Sequence, residues 1–302
     1  MSGLVQLSPP GPRLPVWLRK NDRNFGSVHN LKGELRRLRL NTVCESARCP
    51  NLHECFHRGA ATFMILGNLC TRGCGFCSVP KSRHPGPLDP EEPANVARMA
   101  QAMRLRYVVI TSVNRDDLPD GGSRHFAETV TEVRRALPEA RIETLTPDFC
   151  GDLDAVDRVL DASPDVFNHN VETVPRLYRT VRPQAKYEQS LAVLRHATLN
   201  RDREGAARPL VKSGAMLGLG ETQAEVEELL RDLRDAQVDV VTLGQYLQPT
   251  RRNLPVAEYI APERFESYRD YGLSLGFKMV FSGPLVRSSY MADLVREQAS
   301  SS

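Results

Sequence analysis

The chain reads as an α/β protein, a partial (β/α)6 TIM-like barrel, because six short apolar, β-branched runs alternate with amphipathic helical stretches. The runs occupy 61–67, 106–113, 141–147, 165–173, 211–219 and 238–246, and their near-continuous hydrophobicity is that of parallel strands buried on both faces. Between the last two, Val226, Leu229, Leu230 and Leu233 form one helical stripe, and Thr222 with Glu225 makes a capping box at its start. Phe126, Val130 and Val133 form a similar stripe earlier, and 277–284 is a candidate further strand. The expected organisation is an N-terminal extension over 1–60, the barrel over 61–284 and a C-terminal tail over 285–302. The first forty or so residues read as an extended arm, with Trp17 anchoring it to the body.

With 302 residues and 41% hydrophobic content, the chain can bury a core of barrel size. A formal net charge of +3, with bases scattered among acids, is too small to argue for nucleic acid, although a mildly basic face would help dock an acidic carrier protein. No apolar run approaches the ~20 residues of a membrane helix. Pro9, Pro10, Pro12 and Pro15 break the amphipathic helix of a transit peptide, so the expected location is cytoplasmic.

Six of the seven cysteines crowd the stretch from Cys44 to Cys77, and Cys150, read as a buried thiol, stands apart. Such close spacing without an export signal points to metal ligation rather than disulfides. Cys70, Cys74 and Cys77 follow the first strand directly, on a loop whose Gly73 and Gly75 permit tight turns. Three thiolates can hold three corners of a cubane cluster and leave one iron open. The alternative is a structural zinc ion, which calls for a fourth ligand. Cys44, Cys49 and Cys55 form a second triplet upstream, and for it zinc with His53 or His57 is again the alternative.

In such barrels the chemistry sits at the C-terminal ends of the strands. Asn114, Arg115, Asp116 and Asp117 follow the second strand, and the adjacent aspartates read as turn caps. Asn168, Asn170 and Glu172 alternate along the fourth strand and so share one face, while His169 points to the other as a packed histidine.

The C-x3-C-x2-C spacing resembles the signature of the radical S-adenosylmethionine superfamily. With the second triplet ahead of it, the sequence is similar to the lipoyl synthase family through CESARCPN, TFMILGNLCTRGCGFCSV, VITSVNRDDLPDGG, FNHNVETV, KSGAMLGLGE, GQYLQPT and VRSSY. The resemblance implies two 4Fe-4S clusters. One is held by Cys70, Cys74 and Cys77, with S-adenosylmethionine on its open iron. The other, auxiliary cluster is held by Cys44, Cys49, Cys55 and Ser289, with Ser288 as the fallback. It further implies radical insertion of two sulfur atoms, donated by the auxiliary cluster, at C6 and C8 of an octanoyl chain on a lysine of a lipoyl carrier protein or domain.

Phe76, Ser78, Asn168, Asn170 and Glu172 are the candidate S-adenosylmethionine contacts, with Lys212 and Glu221 for its carboxylate or ribose; ordinary barrel hydrogen bonds and ion pairs are the alternatives. An electron donor such as ferredoxin or flavodoxin and a cluster-repair protein are the further partners implied. One departure stands out: Asn253 occupies a position where the family usually carries histidine. A methylthiotransferase, a two-cluster electron carrier and a zinc-stabilised structural protein are the competing readings.

Overall fold

The structure is a computed structural model, and it describes residues 14–19, 33–43, 51, 60–202 and 208–289. Seven strands run parallel in simple sequential order: β2 (Ala60–Ile65), β3 (Tyr107–Ser112), β4 (Arg141–Leu145), β5 (Val166–Asn168), β6 (Leu210–Leu217), β7 (Val240–Gln245) and β8 (Met279–Gly283). A short β1 (Asn41–Thr42) adds to the β2 edge antiparallel. The sheet is open, with β1 and β8 as its edges among the described residues.

Every expected strand is present, and 277–284 contributes a full seventh parallel strand. The run at 165–173 is regular only to Asn168. The chain rejoins β6 at Glu172, itself at φ +67°, where the Glu172 N–H donates to the Gly214 carbonyl at 3.0 Å.

The helices α1 (Glu92–Ala102), α2 (Ser123–Ala136), α3 (Leu153–Asp161), α4 (Tyr178–Val181), α5 (Tyr187–Leu199), α6 (Gln223–Asp235) and α7 (Pro262–Ser274) lie between successive strands. The α6 stripe of Val226, Leu229, Leu230 and Leu233 is wholly buried, as are Phe126, Val130 and Val133 of α2. The capping box at α6 is complete: the Thr222 hydroxyl accepts from the Glu225 N–H at 3.3 Å, and the Glu225 carboxylate accepts from the Thr222 N–H at 2.8 Å. In the N-terminal arm the anchor is Leu18, which is buried, whereas Trp17 is 45% exposed.

The floor of the barrel is ionic. Lys212 Nζ lies 3.0 and 3.1 Å from the two carboxylate oxygens of Glu143, which also accept from the Tyr107 hydroxyl at 2.8 Å and from Asn168 Nδ2 at 2.8 Å. Both charges are out of solvent, with Lys212 at 1% and Glu143 at 0% side-chain exposure. Alternation turns Asn168 and Lys212, both expected cofactor contacts, inward to the floor, where Lys212 Nζ and Asn168 Nδ2 are engaged by Glu143 while the buried Asn168 Oδ1 has no partner among the described residues. On the opposite face His169 is packed as expected, with Nδ1 2.9 Å from the Thr146 carbonyl and Nε2 3.0 Å from Ser190 Oγ. Burial pulls its imidazole down to about 4, so it stays neutral in the folded protein.

Removing one member of a buried, hydrogen-bonded pair strands the other charge, at a cost of about 3–5 kcal/mol. Lys212→Met is therefore expected to lower unfolding stability by that amount in urea titrations of the metal-free protein. Adding Glu143→Gln to it should recover most of the loss, because the buried charge is then gone.

Candidate functional site

The loop from Cys70 to Cys77 leaves the C-terminal end of β2 and is held on all sides by other loops of that end. Leu66 turns the chain at φ +68°, its N–H donating to the buried Glu92 carboxylate at 2.8 Å. The Thr71 N–H then donates to the Asn114 carbonyl at 3.0 Å, the Gly75 N–H to Val181 at 2.9 Å, and the Leu254 N–H to Gly75 at 3.0 Å. Gln184 Oε1 accepts from the Gly73 N–H at 2.7 Å. A Cβ at Gly75 would lie 2.8 Å from Leu254 and 3.1 Å from the Thr180 carbonyl, so this close approach needs glycine. Asn253 spans the same seam, donating from Nδ2 to the Gly75 carbonyl at 3.3 Å and to Cys77 at 3.0 Å, while its Oδ1 accepts from Thr250 Oγ1 at 2.7 Å.

Between the first two cysteines, Arg72 points inward and is gripped twice. Its guanidinium donates to Asp116 at 2.7 and 2.9 Å and to Asp148 at 2.9 and 2.7 Å. Burial pushes the Asp148 carboxyl up, but the hydrogen bonds and charge of Arg72 outweigh it and hold the group at about 2. Asp117 pairs with the buried Arg115 at 2.8 Å, so the adjacent aspartates are ion-pair anchors rather than turn caps. Cys150 is exposed, not buried. Its backbone is left-handed at φ +54°, its thiol donates to Asp116 Oδ1 at 3.3 Å, and Arg72 Nη2 lies 3.4 Å from its Sγ.

The three thiols line a chamber of about 140 Å3 with Arg72, Asn114, Asn170, Glu172 and Arg182. Cys70 Sγ accepts from the Asn114 N–H at 3.3 Å. Burial pushes the Cys74 thiol up to about 11 and Cys77 in the same direction, so metal binding here must displace protons. The chamber shares a wall of Phe76, Cys77, Asn170 and Glu172 with a largely apolar cleft of about 450 Å3 in the barrel mouth. Ser78, Met64, Ala215 and Met216 line that cleft.

Among the described residues nothing hydrogen-bonds the buried Oδ1 atoms of Asn51, Asn114 and Asn170 or the Ser112 hydroxyl, all of which face these cavities. Buried polar atoms without partners are what a polar ligand would satisfy. Glu172 is half-buried; desolvation raises its carboxyl, against the nearby Arg182 charge and a hydrogen bond from Asn170 Nδ2 at 3.2 Å. Three thiols and orphaned amide oxygens lining adjoining cavities fit a thiolate-held cluster carrying a polar cofactor.

The far wall of the cleft is the segment after β8. It lies so close on β7 that a Cβ at Gly244 would come within 2.1 Å of the Val286 carbonyl. Arg287 Nη1 donates to the Gln245 carbonyl at 3.2 Å, and Ser288 and Ser289 both line the cleft. Asn51, which stands between Cys49 and Cys55 in sequence, donates from Nδ2 to the Leu285 carbonyl at 2.8 Å across 234 positions. Cys44, Cys49 and Cys55 themselves lie outside the described residues, as do His53, His57 and Tyr290.

Of the expected cofactor contacts, Phe76, Ser78, Asn170 and Glu172 meet at the cavity. Glu221 does not: its carboxylate folds back to accept the Gly218 and Leu219 N–H groups and braces the turn after β6. Arg72, Arg182 and Asn51 belong to the site but were not expected there, and Asn114, expected only at the catalytic end of the barrel, lines it as well. Asn51, Arg72 and Asn114 carried a signal, since all three sit inside the motifs that mark the chain.

Asn253→Ala removes the hydrogen bonds on Gly75 and Cys77; the Gly75 carbonyl keeps the Leu254 N–H, but the Cys77 carbonyl must find another partner, at about 1–3 kcal/mol. The expected result is a lower melting temperature for the metal-free protein and faster cluster loss to a chelator, with Asn253→His, which keeps one donor, falling between.

The Radical SAM superfamily model matches residues 64–233, which is more than half of the chain. The lipoyl synthase of Rubrobacter xylanophilus is 53% identical over 94% of this chain and 87% of its own length. That of Caldanaerobacter subterraneus subsp. tengcongensis is 52% identical over 93% and 96%, and the chloroplastic lipoyl synthase of Arabidopsis thaliana 52% over 94% and 72%. Among solved structures, methylornithine synthase aligns at a TM-score of 0.54 with 15% identity, covering 88% of this chain and 87% of its own, a likeness of fold alone. An open parallel barrel with a thiol triplet after its first parallel strand, a superfamily match across its body and relatives at half identity across nearly its whole length together show that this chain belongs to the lipoyl synthase family of radical S-adenosylmethionine enzymes.

Proposed function

We propose that the chamber and the cleft are the two halves of one reaction site, with Cys70, Cys74 and Cys77 binding the reducible 4Fe-4S cluster and Cys44, Cys49, Cys55 and Ser289 the auxiliary one. The observation that carries this is the wall the two cavities share: Phe76, Cys77, Asn170 and Glu172 line both. The first thiol triplet lines the chamber, Ser288 and Ser289 line the cleft, and Asn51 of the second motif is hydrogen-bonded to the serine-bearing segment.

The enzyme inserts two sulfur atoms at C6 and C8 of an octanoyl chain carried on a lysine of a lipoyl carrier. When bound, the S-adenosylmethionine-loaded cluster supplies a carbon-centred radical able to open unactivated C–H bonds, and the auxiliary cluster supplies the sulfur. The protein's own share is placement and exclusion of water. Met64, Val109, Ala215 and Met216 give the octanoyl chain an apolar wall. The orphaned amide oxygens of Asn114 and Asn170 and the Glu172 carboxylate offer acceptors to the cofactor's amine and hydroxyl groups, and Phe76 and Ser78 flank it. Arg182 is fixed by donating to the Asn170 and Val171 carbonyls at 3.0 and 3.2 Å, which sets the wall that carries those acceptors.

Because the sulfur comes from the protein's own cluster, a repair protein must rebuild it, and a low-potential carrier such as ferredoxin or flavodoxin must supply electrons. Thiolate-held clusters suit a reducing compartment such as the cytoplasm. Among the described residues no helix is long and apolar enough to cross a membrane.

The deciding assay uses anaerobically reconstituted protein, S-adenosylmethionine, a strong reductant and an octanoyl-lysyl peptide, read by mass spectrometry. A dithiolated peptide with 5′-deoxyadenosine is expected from the parent. Cys44→Ala should keep deoxyadenosine formation and lose the sulfur; sulfur insertion surviving that change would remove the auxiliary cluster from the mechanism. An alkoxide is a harder ligand than thiolate and holds iron–sulfur chemistry less well. Ser289→Cys is therefore expected to bind the auxiliary cluster more firmly and turn over at least roughly tenfold more slowly, and equal turnover would place the fourth ligand elsewhere.

A further inference from the structure

The C-terminal face of the barrel is electrically divided. Three of its segments, 73–87, 175–186 and 246–257, contain eight lysines and arginines and no aspartate or glutamate, in a chain whose totals are a balanced 40 and 37. The segments after β3 and β4 hold the acids, and those acids are engaged: Asp116 and Asp148 on Arg72, Asp117 on Arg115, Asp120 and Asp152 on backbone N–H groups at the starts of helices. On the basic side Arg182 is buried and Arg176 is paired with Glu225. Lys81, Arg83, Arg179, Lys186, Arg251 and Arg252 are exposed, and no carboxylate among the described residues pairs with them.

These cations meet at the cysteine loop itself. A Cβ on Gly73 would lie 3.5 Å from Gln184 Oε1 and 3.9 Å from Lys81 Nζ. Gly75 is bonded to Val181 and Leu254, two positions from Arg179 and Arg252 respectively. Solvated cations that pair with no carboxylate among the described residues attract an anionic partner and accelerate its encounter.

Resting on the reading that Cys70, Cys74 and Cys77 bind the reducible cluster, we infer that this basic rim is the docking surface for an acidic, low-potential, one-electron protein donor. The donor is oxidised by one electron, and that electron enters the cluster held by the loop the rim touches. Electron transfer weakens steeply with distance, so a donor must dock against the cluster loop. An acyl-lysine arm is long, and its carrier can deliver it from farther off. A charge-steered contact of this kind is small, short-lived and sensitive to salt.

The test measures reduction of the reconstituted holoenzyme by reduced flavodoxin in a stopped-flow instrument, following visible bleaching. Lys81→Glu and Arg179→Glu, singly and together, are compared with Arg104→Glu, an exposed change at the opposite end of the barrel. The double reversal is expected to slow the second-order rate roughly tenfold or more at low salt. It should also flatten the rate's dependence on ionic strength, whereas Arg104→Glu should change neither. Reduction by photoreduced deazaflavin, a small donor with nothing to dock, should be the same in all variants.

An unchanged flavodoxin rate in the double variant would overturn the inference. So would an unchanged flavodoxin rate with a raised KM for octanoylated carrier, which would assign the rim to the carrier instead. Protein whose cluster bleaches normally but yields no dithiolated product would contradict the catalytic reading and leave the docking result standing.

Discussion

Everything at the mouth of this barrel depends on holding an eight-residue loop still while leaving its three thiols free. A loop that presents cysteines to a cluster cannot use those side chains to pack, so its rigidity must come from elsewhere. Here it comes from Arg72, whose guanidinium satisfies two carboxylates from two different strand ends at distances of 2.7–2.9 Å. A planar cation with five donors suits this geometry, whereas a lysine would bind either aspartate but not register both. Asn253, Gln184 and the Leu254 N–H fasten the loop's outer edge, so the β3, β4, β5 and β7 ends all bear on a segment that leaves β2.

The barrel supports this from beneath by a different means. Its floor is closed by the Glu143–Lys212 pair, with Tyr107 and Asn168 completing the hydrogen bonds. Higher up, the inward positions become small, with Gly214 and Gly244 lining the cleft. At Gly214 an added Cβ would come within 2.3 Å of Thr242 Oγ1, so the space above the floor is already close to its limit. One interior thus changes from a buried ionic network to an apolar cleft over a few residues of strand.

What the sequence made legible was local. The hydrophobic runs located every parallel strand, because burial on both faces leaves a continuous apolar signal. The cysteine triplet declared itself by spacing alone. The alternation of Asn168, Asn170 and Glu172 correctly assigned them to one face, but it carries no information on depth, and depth separates Asn168 on the floor from Asn170 at the cavity. Lys212 likewise lies at the floor, paired with Glu143. The grip on Arg72 was hidden because its partners lie 44 and 76 positions away. Cys150 looked like a small apolar residue, yet the left-handed turn that presents Asp148 to Arg72 pushes the thiol outward. Asn253 is the instructive departure: a shorter side chain than the histidine it stands for still reaches two carbonyls of the cysteine loop.

The bond from Asn51 to the Leu285 carbonyl also fixes when the enzyme becomes complete. The 234 positions between them span the whole barrel, so on the ribosome this contact is among the last that can form. The loop of Cys70 to Cys77 needs only strands up to β7 and the segment behind it, whereas the serine wall arrives with the chain's final strand. A nascent chain can therefore form the walls around the Cys70–Cys77 loop before the segment that bears Ser288 and Ser289 has been made.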